Sequence, residues 1–556
     1  MDDQSVMQIL ELLHTLQEAC PELYGRAEAG QSSIFQRLCG DLNAGLSCIL
    51  NLISEVETEG NQKLRPICQS TLDSLERMRR FYPADVDRCL RKIEFELLPL
   101  LQEAYASYYF YQYLADHPER MKEYESRERA LLYGNAYIDK AVETGRYPYE
   151  VSIAVTGYNK LDYTKRCVES LLANIPEGLN YELILINHGS SDGTKAYFES
   201  VHPHKQLDIA VNGGGGAAMG RIIEGEFMIW VSNDVIVTPG AIENLLACIR
   251  SDPKILWAVP STSNVSNLQS IPAQYASEEE LVEFARRNNR QDPFRWEQRT
   301  RLCNPIDIRR SSMWYGSSGL GLYSRLLHPL CPGRRTTFPD DRTALLLRRS
   351  GYKMMLVKDA YCHHFGSVTW KPLIQQQGEQ AYYMEGRQDF ARAFGVDPWG
   401  TGFCFDPVFM DRVVGENTGH TEVLGVNCGL GSSSLKIKEQ LKEYCRNLDV
   451  CLTNVTSESR FLEDLAGVSD KVEEIRSRKD LERFLSGKKF DYIVWEDPFL
   501  SKADRRGLLR LLQGALHPNG RMFVKGPVEN GWRELGNQWN CFAFSEGDPR
   551  PMRGAD

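Results

Sequence analysis

No apolar run in this 556-residue chain approaches the roughly 20 residues of a membrane span, so a transmembrane anchor is not expected. Positive charge is in the minority. Lys and Arg total 65 against 75 Asp and Glu, a formal net charge of -10, which argues against non-specific nucleic-acid binding although a local basic patch stays compatible with it. Paired cysteines are missing too. The 15 cysteines are scattered with no C-x-x-C pair, and several (Cys48, Cys167, Cys248) sit in apolar runs, where a thiol acts as a small hydrophobe. A disulfide scaffold is not expected, and a reducing compartment is the simplest reading. The start, Met1-Asp2-Asp3-Gln4, is acidic and polar and lacks the pattern of a secretory signal. A soluble, cytoplasmic chain is expected. What is present is an ordinary globular composition, 42% hydrophobic and 25% charged, in a length that suits about three or four domains.

Three regions follow along the chain. Residues 1–148 read as an all-helical domain, with apolar residues at three- and four-residue spacing in Val6, Met7, Ile9, Leu10, Leu13 and in Leu42, Leu46, Ile49, Leu50, Ile53. Pro83 suits a helix start, with Asp85 and Asp87 favouring its dipole. Tyr105, Tyr108, Tyr109, Tyr111 and Tyr113 make a dense aromatic run, read as a buried seam between helices or domains in preference to a binding groove. Residues 149–400 alternate strand and helix, which implies a parallel, doubly wound sheet. Residues 415–556 start the alternation again. The fold class is multi-domain α/β.

In the central region the strand-like run 227–231 opens onto Ser232-Asn233-Asp234. A carboxylate just past the end of an apolar strand sits where open α/β sheets place ligands. Upstream, strand 151–156 ends with Thr156 at the turn Gly157-Tyr158-Asn159, and strand 181–186 ends at Asn187-His188-Gly189-Ser190-Ser191-Asp192-Gly193-Thr194. Taken alone, that second turn is a plain Gly-Ser turn with Asp192 capping a helix. Asn212-Gly213-Gly214-Gly215-Gly216 follows a third strand; such a run is either a flexible loop or a place where backbone approaches a phosphate or sugar. Downstream, Phe338-Pro339-Asp340-Asp341 precedes a helical run, 342–350, closed by Gly351-Tyr352-Lys353, and a strand, 354–357, leads to Cys362-His363-His364-Phe365-Gly366-Ser367.

These segments, in their order along the chain, resemble the signature of family-2 glycosyltransferases of rhamnosyltransferase-like type. The resemblance implies a GT-A fold, a nucleotide-sugar donor and transfer with inversion. It places Thr156, Tyr158, Asn159, Asn187, Gly189, Ser190, Asn212, Gly213, Gly214, Asn233 and Asp234 at the nucleotide sugar. It makes Asp234 and His364 ligands of Mn2+ or Mg2+, and puts the catalytic acid at Asp340 or Asp341. Counting back from Gly351 favours Asp340; a one-residue gap favours Asp341. Two departures stand out. Asn187 replaces the acid that accepts a hydrogen bond from the base, though an amide still accepts through its carbonyl, so a UDP- or dTDP-sugar remains the expected donor. Ser232 and Asn233 occupy places where acids are often found.

The third region opens with Glu422-Val423-Leu424-Gly425-Val426-Asn427-Cys428-Gly429-Leu430-Gly431, which resembles the first motif of class I methyltransferases. Gly425 and Asn427 depart from that motif, the second strand is read as ending at Asn454 without a ribose-binding acid, and the chain is read as stopping soon after the fifth strand. A Rossmann-like, methyltransferase-type unit that has lost methyl transfer is expected, serving packing, self-association or acceptor docking. The expected activity is transfer of a hexosyl or deoxyhexosyl group to a hydroxyl of a protein, such as flagellin, or of a glycan or lipid-linked acceptor. A bifunctional glycosyltransferase and methyltransferase, and a non-enzymatic scaffold, are the alternatives.

Overall fold

The computed structural model describes residues 2–114, 117–120, 140–142, 144–209, 220, 222–303, 305–314, 339–366, 379–497, 505–528 and 531–543. The N-terminal part is helical: α1 (Asp3–Glu28), α2 (Ser32–Ser54), α3 (Glu59–Phe81), α4 (Val86–Lys92) and α5 (Leu98–Tyr108), with π-helical turns at Ile93–Leu97 and Tyr109–Leu114. Asp2, Thr58 and Asp85 cap helices α1, α3 and α4 by accepting from the amides of Ser5, Asn61 and Arg88. The helix expected at Pro83 thus starts at Val86, with Asp85 as its cap. Val6, Ile9, Leu10, Leu13, Leu42, Leu46, Ile49 and Ile53 are buried as their spacing requires, whereas Met7 stays exposed.

The central sheet contains β1 (Tyr149–Gly157), β2 (Tyr181–Asn187), β3 (Lys205–Asp208), β4 (Gly225–Ser232), β5 (Val235–Ile236), β6 (Ile255–Thr262), β7 (Trp296–Gln298), β8 (Ile306–Arg310) and β9 (Lys353–His364). Its order is β3-β2-β1-β4-β8-β6-β9-β5, with β7 on the side of β9. Helices α6 (Leu161–Ala173), α7 (Thr194–Val201), α8 (Ala241–Ser251), α9 (Glu278–Asn288), α10 (Pro339–Arg349) and α11 (Glu379–Phe394) complete the region. Apolar side chains alternate to both faces, making one core with Val151, Ile153, Val155 and Ile229 and another with Ala154, Ile184, Met228 and Trp257. The sheet is mixed where the alternation implied a parallel one: β4–β8, β6–β8, β5–β9 and β7–β9 are antiparallel. Local alternation of strand and helix reveals that strands exist, but pairing direction is set by partners far along the chain. The strand expected at 354–357 is also longer, because β9 carries on through His363 and His364.

A second sheet holds β10 (Thr421–Val426), β11 (Val450–Thr456), β12 (Lys471–Glu474), β13 (Phe490–Trp495), β14 (Leu516–Lys525), β15 (Arg533–Gly536) and β16 (Trp539–Ala543), in the order β12-β11-β10-β13-β14-β16-β15. Its first five positions are parallel and Rossmann-like, with α12 (Ser432–Cys445), α13 (Leu462–Ala466), α14 (Arg478–Leu485) and α15 (Arg505–Gly514) among the connections. Two more strands, β15 and antiparallel β16, follow β14. One expectation fails here. Asn454 lies inside β11 and is fully buried, so the residues at that strand's end are Thr456, Ser457 and Glu458.

The tyrosine run forms the seam. Tyr105, Tyr109 and Tyr113 make a ladder of rings with centroids 5.9 and 5.1 Å apart. Tyr111 and Leu114 enter an apolar cluster with Leu345 of α10, Phe390 and Phe394 of α11, and Leu430, Phe461 and Leu465 from the C-terminal sheet's connections. Three parts of the chain meet in that cluster.

Candidate active site

Parallel register brings the ends of three strands level. Gly157 pairs with Asn187, and Thr156 with Ser232, so the turns after β1, β2 and β4 share one sheet edge. Most of their polar groups hold the edge together. The Asn159 amide donates to Ser190 Oγ at 2.8 Å, and Asn159 Oδ1 accepts from the Ser191 amide at 2.9 Å. Asn159, at φ +55°, takes the left-handed conformation that asparagine tolerates better than most residues. Asn233 is buried and donates to the Asn159 carbonyl and to Thr164 Oγ1. Trp230 Nε1 donates to Thr156 Oγ1 at 3.1 Å, while Tyr158 stands half-buried beside it.

Asn187 has a similar internal task. Its carbonyl accepts from the Ser190 amide, shaping the turn at Gly189, and its amide donates to Asp208 Oδ1 at 3.0 Å. Asp208 also binds Lys195 at 2.8 Å, so a carboxylate does stand at this edge, one strand over from its expected place. Asp192 caps α6 and α7, accepting from Leu161 and from Thr194; those bonds override burial and hold it below the usual carboxylate range. The plain capping reading of Asp192 is the one the geometry shows. Burial pushes His188, between Asn187 and Gly189, down to about 4, so it is neutral.

The other half of the site is closed by a long-range pairing. Val235 of β5 pairs with His364 of β9, and the Phe365 amide donates to the Asp234 carbonyl at 3.0 Å. His364 Nε2 thereby lies 3.3 Å from Asp234 Oδ2, with both side chains almost fully buried. His364 Nδ1 lies 2.6 Å from the Asn264 carbonyl, an acceptor only, and so carries a proton. Nε2 is then the ring nitrogen that faces the Asp234 carboxylate, a donor to it when protonated and a ligand beside it when not. Two electron-rich atoms converging at this distance suit a shared cation, and a metal-binding histidine characteristically donates its other nitrogen to a carbonyl. Among the described residues no group of three or more His, Cys, Asp and Glu is placed to hold a metal ion, so a cation shared by these two would need its other ligands from outside the protein. Gly366 completes this corner: at φ +93°, a Cβ there would stand 2.0 Å from Asn264 Nδ2. Ser367 lies outside the described residues, as do Asn212, Gly213, Gly214 and Phe338.

Asp340 and Asp341 lie in the first turn of α10 and separate clearly. Asp341 is buried and pairs with Arg301 through both guanidinium and carboxylate edges, Nη2 to Oδ2 being 3.1 Å. Burial pushes its carboxyl up to about 6, with Arg301 offsetting part of that shift. Asp340 is half-buried, and its charge adds to burial in pushing the Cys303 thiol up. Cys303 Sγ accepts from Asn267 at 2.9 Å, and the same short stretch after β6 supplies the Asn264 carbonyl to His364. The stretch 263–267 therefore links the surroundings of Asp340 with the Asp234–His364 pair. Arg301, Asn264, Asp208 and Lys195 were not singled out by the sequence; each is an ordinary polar residue whose partner is distant or on another strand.

The glycine-rich loop after β10 is filled from within the chain. A Cβ on Gly429 would stand 2.1 Å from the Thr401 carbonyl oxygen, and one on Gly402 would stand 2.0 Å from that of Cys428. The 401–402 backbone thus lies against the loop where an open Rossmann site would take its ligand.

Residues 152–303 match the model of the family described as Glycosyl transferase family 2. Asp340 and His364 fall beyond that stretch. No curated protein matches the chain. Similar solved structures include GalNAc-T7 with UDP, GalNAc and Mn2+, at 13% identity and TM-score 0.29 over 39% of this chain and 44% of that one. They also include the mannosyltransferase PcManGT from Pyrobaculum calidifontis with GDP-Man and Mn2+, at 14% identity and TM-score 0.28 over 50% and 69%. S. aureus TarS 1–349 in complex with UDP-GlcNAc is a third, at 15% identity and TM-score 0.28 over 45% and 74%. The chain thus spans less than half the length of GalNAc-T7 in that match.

Proposed function

We propose that the protein is a nucleotide-sugar-dependent, inverting glycosyltransferase whose donor site is the shared edge of β1, β2 and β4. The single observation that carries this reading is the convergence of His364 Nε2 and Asp234 Oδ2, 3.3 Å apart, on the edge where the family-matched segment ends β4. Asp234 and His364 would hold Mn2+ or Mg2+, which supplies charge stabilisation to a departing diphosphate. The turns at Asn159 and Ser190 orient the nucleotide. Asp340 takes the acceptor hydroxyl's proton as that oxygen bonds to the sugar's anomeric carbon and the carbon–diphosphate bond breaks on the opposite face. Asp341 is the structural member of the pair, because Arg301 already occupies its carboxylate.

A protein acceptor, flagellin among the candidates, is the reading we favour, with a saccharide or lipid-linked acceptor next; helical and Rossmann-like flanks offer broad surfaces for a macromolecule. For the C-terminal sheet we propose a methyltransferase-type unit that no longer transfers methyl groups, because the 401–402 backbone fills its glycine loop. The donor assignment is tested by titrating UDP-, dTDP- and GDP-sugars with and without Mn2+ and following thermal stabilisation. A metal-dependent shift with one base class is expected. Stabilisation by S-adenosylmethionine at low-micromolar concentration would instead support the bifunctional reading.

A further inference from the structure

Helix α10 is anchored at both ends, and its C-terminal anchor belongs to a different part of the chain. Arg349 at that end forms a two-pronged pair with Asp464 of α13, Nε to Oδ1 and Nη2 to Oδ2 both at 3.0 Å. Arg348 beside it is fully buried and donates to the carbonyls of Leu430 and Asp464, each at 3.1 Å. Asp464 has no exposed surface. Midway along the helix, Leu345 sits in the cluster shared by Tyr111, Phe390, Leu430 and Leu465. Burying the Arg348 guanidinium and covering most of that of Arg349 on this one helix is costly, and both find partners in the C-terminal unit.

We propose that Asp464 and Arg349 are positioning residues: the C-terminal unit fixes the tilt of α10 and so the place of Asp340 at its other end. The inference rests on the assignment of Asp340 as the base. Nine residues separate position 340 from position 349, a lever of about 13 Å at 1.5 Å per residue. The first turn is also held by Arg301 through Asp341; once the Asp464 pair is lost, that one contact no longer fixes the helix axis, and a shift of ~1 Å at Asp340 costs about 100-fold in rate. The donor edge of β1, β2 and β4 is built from other elements and does not move with it. This gives the C-terminal unit a function without a ligand of its own, and explains why its glycine loop is spent on contacts with Thr401 and Gly402.

The test uses full-length protein and the variant Arg349→Lys, which keeps the charge and removes the two-pronged geometry. Asp464→Asn is the second variant. Three quantities are read: hydrogen exchange of α10 amides, affinity for UDP with Mn2+, and the rate of UDP release from UDP-N-acetylglucosamine or UDP-glucose. Faster exchange in α10, UDP affinity within about twofold of wild type, and turnover lower by about tenfold or more are expected. Unchanged α10 exchange with unchanged turnover overturns the inference. So does a turnover loss that merely follows lost UDP affinity and lowered Tm. If wild-type protein binds none of UDP, dTDP and GDP with Mn2+, the glycosyltransferase reading falls, while faster α10 exchange in Arg349→Lys still establishes the mechanical link.

Discussion

Asp340 and Asp341 show how much one residue of offset changes. Sequence spacing leaves both open as the base. Burial and the Arg301 pair change that account of Asp341. Asp341→Asn leaves a largely buried guanidinium without its counter-charge, and the expected loss is on the order of 3 kcal/mol, well beyond a dipole effect. Thermal unfolding measures it. Asp340→Asn, in contrast, should unfold like wild type, keep its UDP affinity and lose turnover by orders of magnitude, because an amide cannot take the proton. Full activity in Asp340→Asn would remove this carboxylate from the chemistry. At the other side of the site, His364→Ala should weaken Mn2+-dependent nucleotide binding less than Asp234→Ala, since it removes a neutral ligand and leaves the charged one. Titration of UDP at fixed Mn2+ compares them; equal affinity in both variants and wild type would contradict the shared cation site.

Elements carry a pH signature of their own. Glu496 follows β13 and is almost fully buried against α12, and its Oε2 has no hydrogen-bond partner among the described residues. Burial pushes it up to about 8, with the Ser433 bond and the Lys525 charge offsetting only part of that. The folded protein therefore holds this proton more tightly than the unfolded chain, in which Glu titrates near 4.5. Its contribution is complete below about pH 4.5 and is lost as pH rises through about 8. Glu496→Gln, which mimics the protonated acid, should flatten that decline, so the variant's Tm exceeds wild type more at pH 9 than at pH 5. A constant difference would show that Glu496 is ionised throughout.

Element existence was largely legible and element partnership was not. The strands ending at Thr156, Asn187 and Ser232 follow from apolar runs bounded by turn residues, and the helices of the N-terminal part follow from their spacing. The antiparallel placement of β8 between β4 and β6 does not, because no local pattern encodes which strand lies alongside. Asp234 and His364 could be named from the family resemblance, but the Asn264 carbonyl that fixes the histidine's proton is an ordinary backbone group and left no trace in the sequence. Asn454 was misplaced at a strand end for a related reason: β11 runs on through polar Thr453, Asn454 and Thr456, buried because Ser434 and Ser469 satisfy Asn454 from neighbouring elements.

For the whole molecule, the contact between the two sheets rests on a buried charge cluster. Glu297 of β7 meets Lys436 of α12 at 2.8 Å, Arg299 at 2.8 Å and Lys358 at 3.7 Å. Burial alone would raise Glu297, but these three cations hold it well below the usual carboxylate range. The stabilisation is present above the unfolded chain's value near 4.5 and is lost as pH falls below it. Glu297→Gln should cost about 3–5 kcal/mol at neutral pH by stranding the cations. The Tm gap to wild type should narrow on acidification, whereas a gap that stays constant down to the acid limb would mean the cluster adds no linked stability.

The central claim is that Asp234 and His364 hold a divalent cation that carries a nucleoside diphosphate. Equilibrium binding of UDP, dTDP and GDP to wild type and to Asp234→Ala, with Mn2+ and with excess chelator, tests it most directly. At least one nucleotide should bind wild type with Mn2+ and lose that affinity both in chelator and in Asp234→Ala. Binding that is indifferent to metal and to Asp234, or no binding of any of the three, would contradict the account.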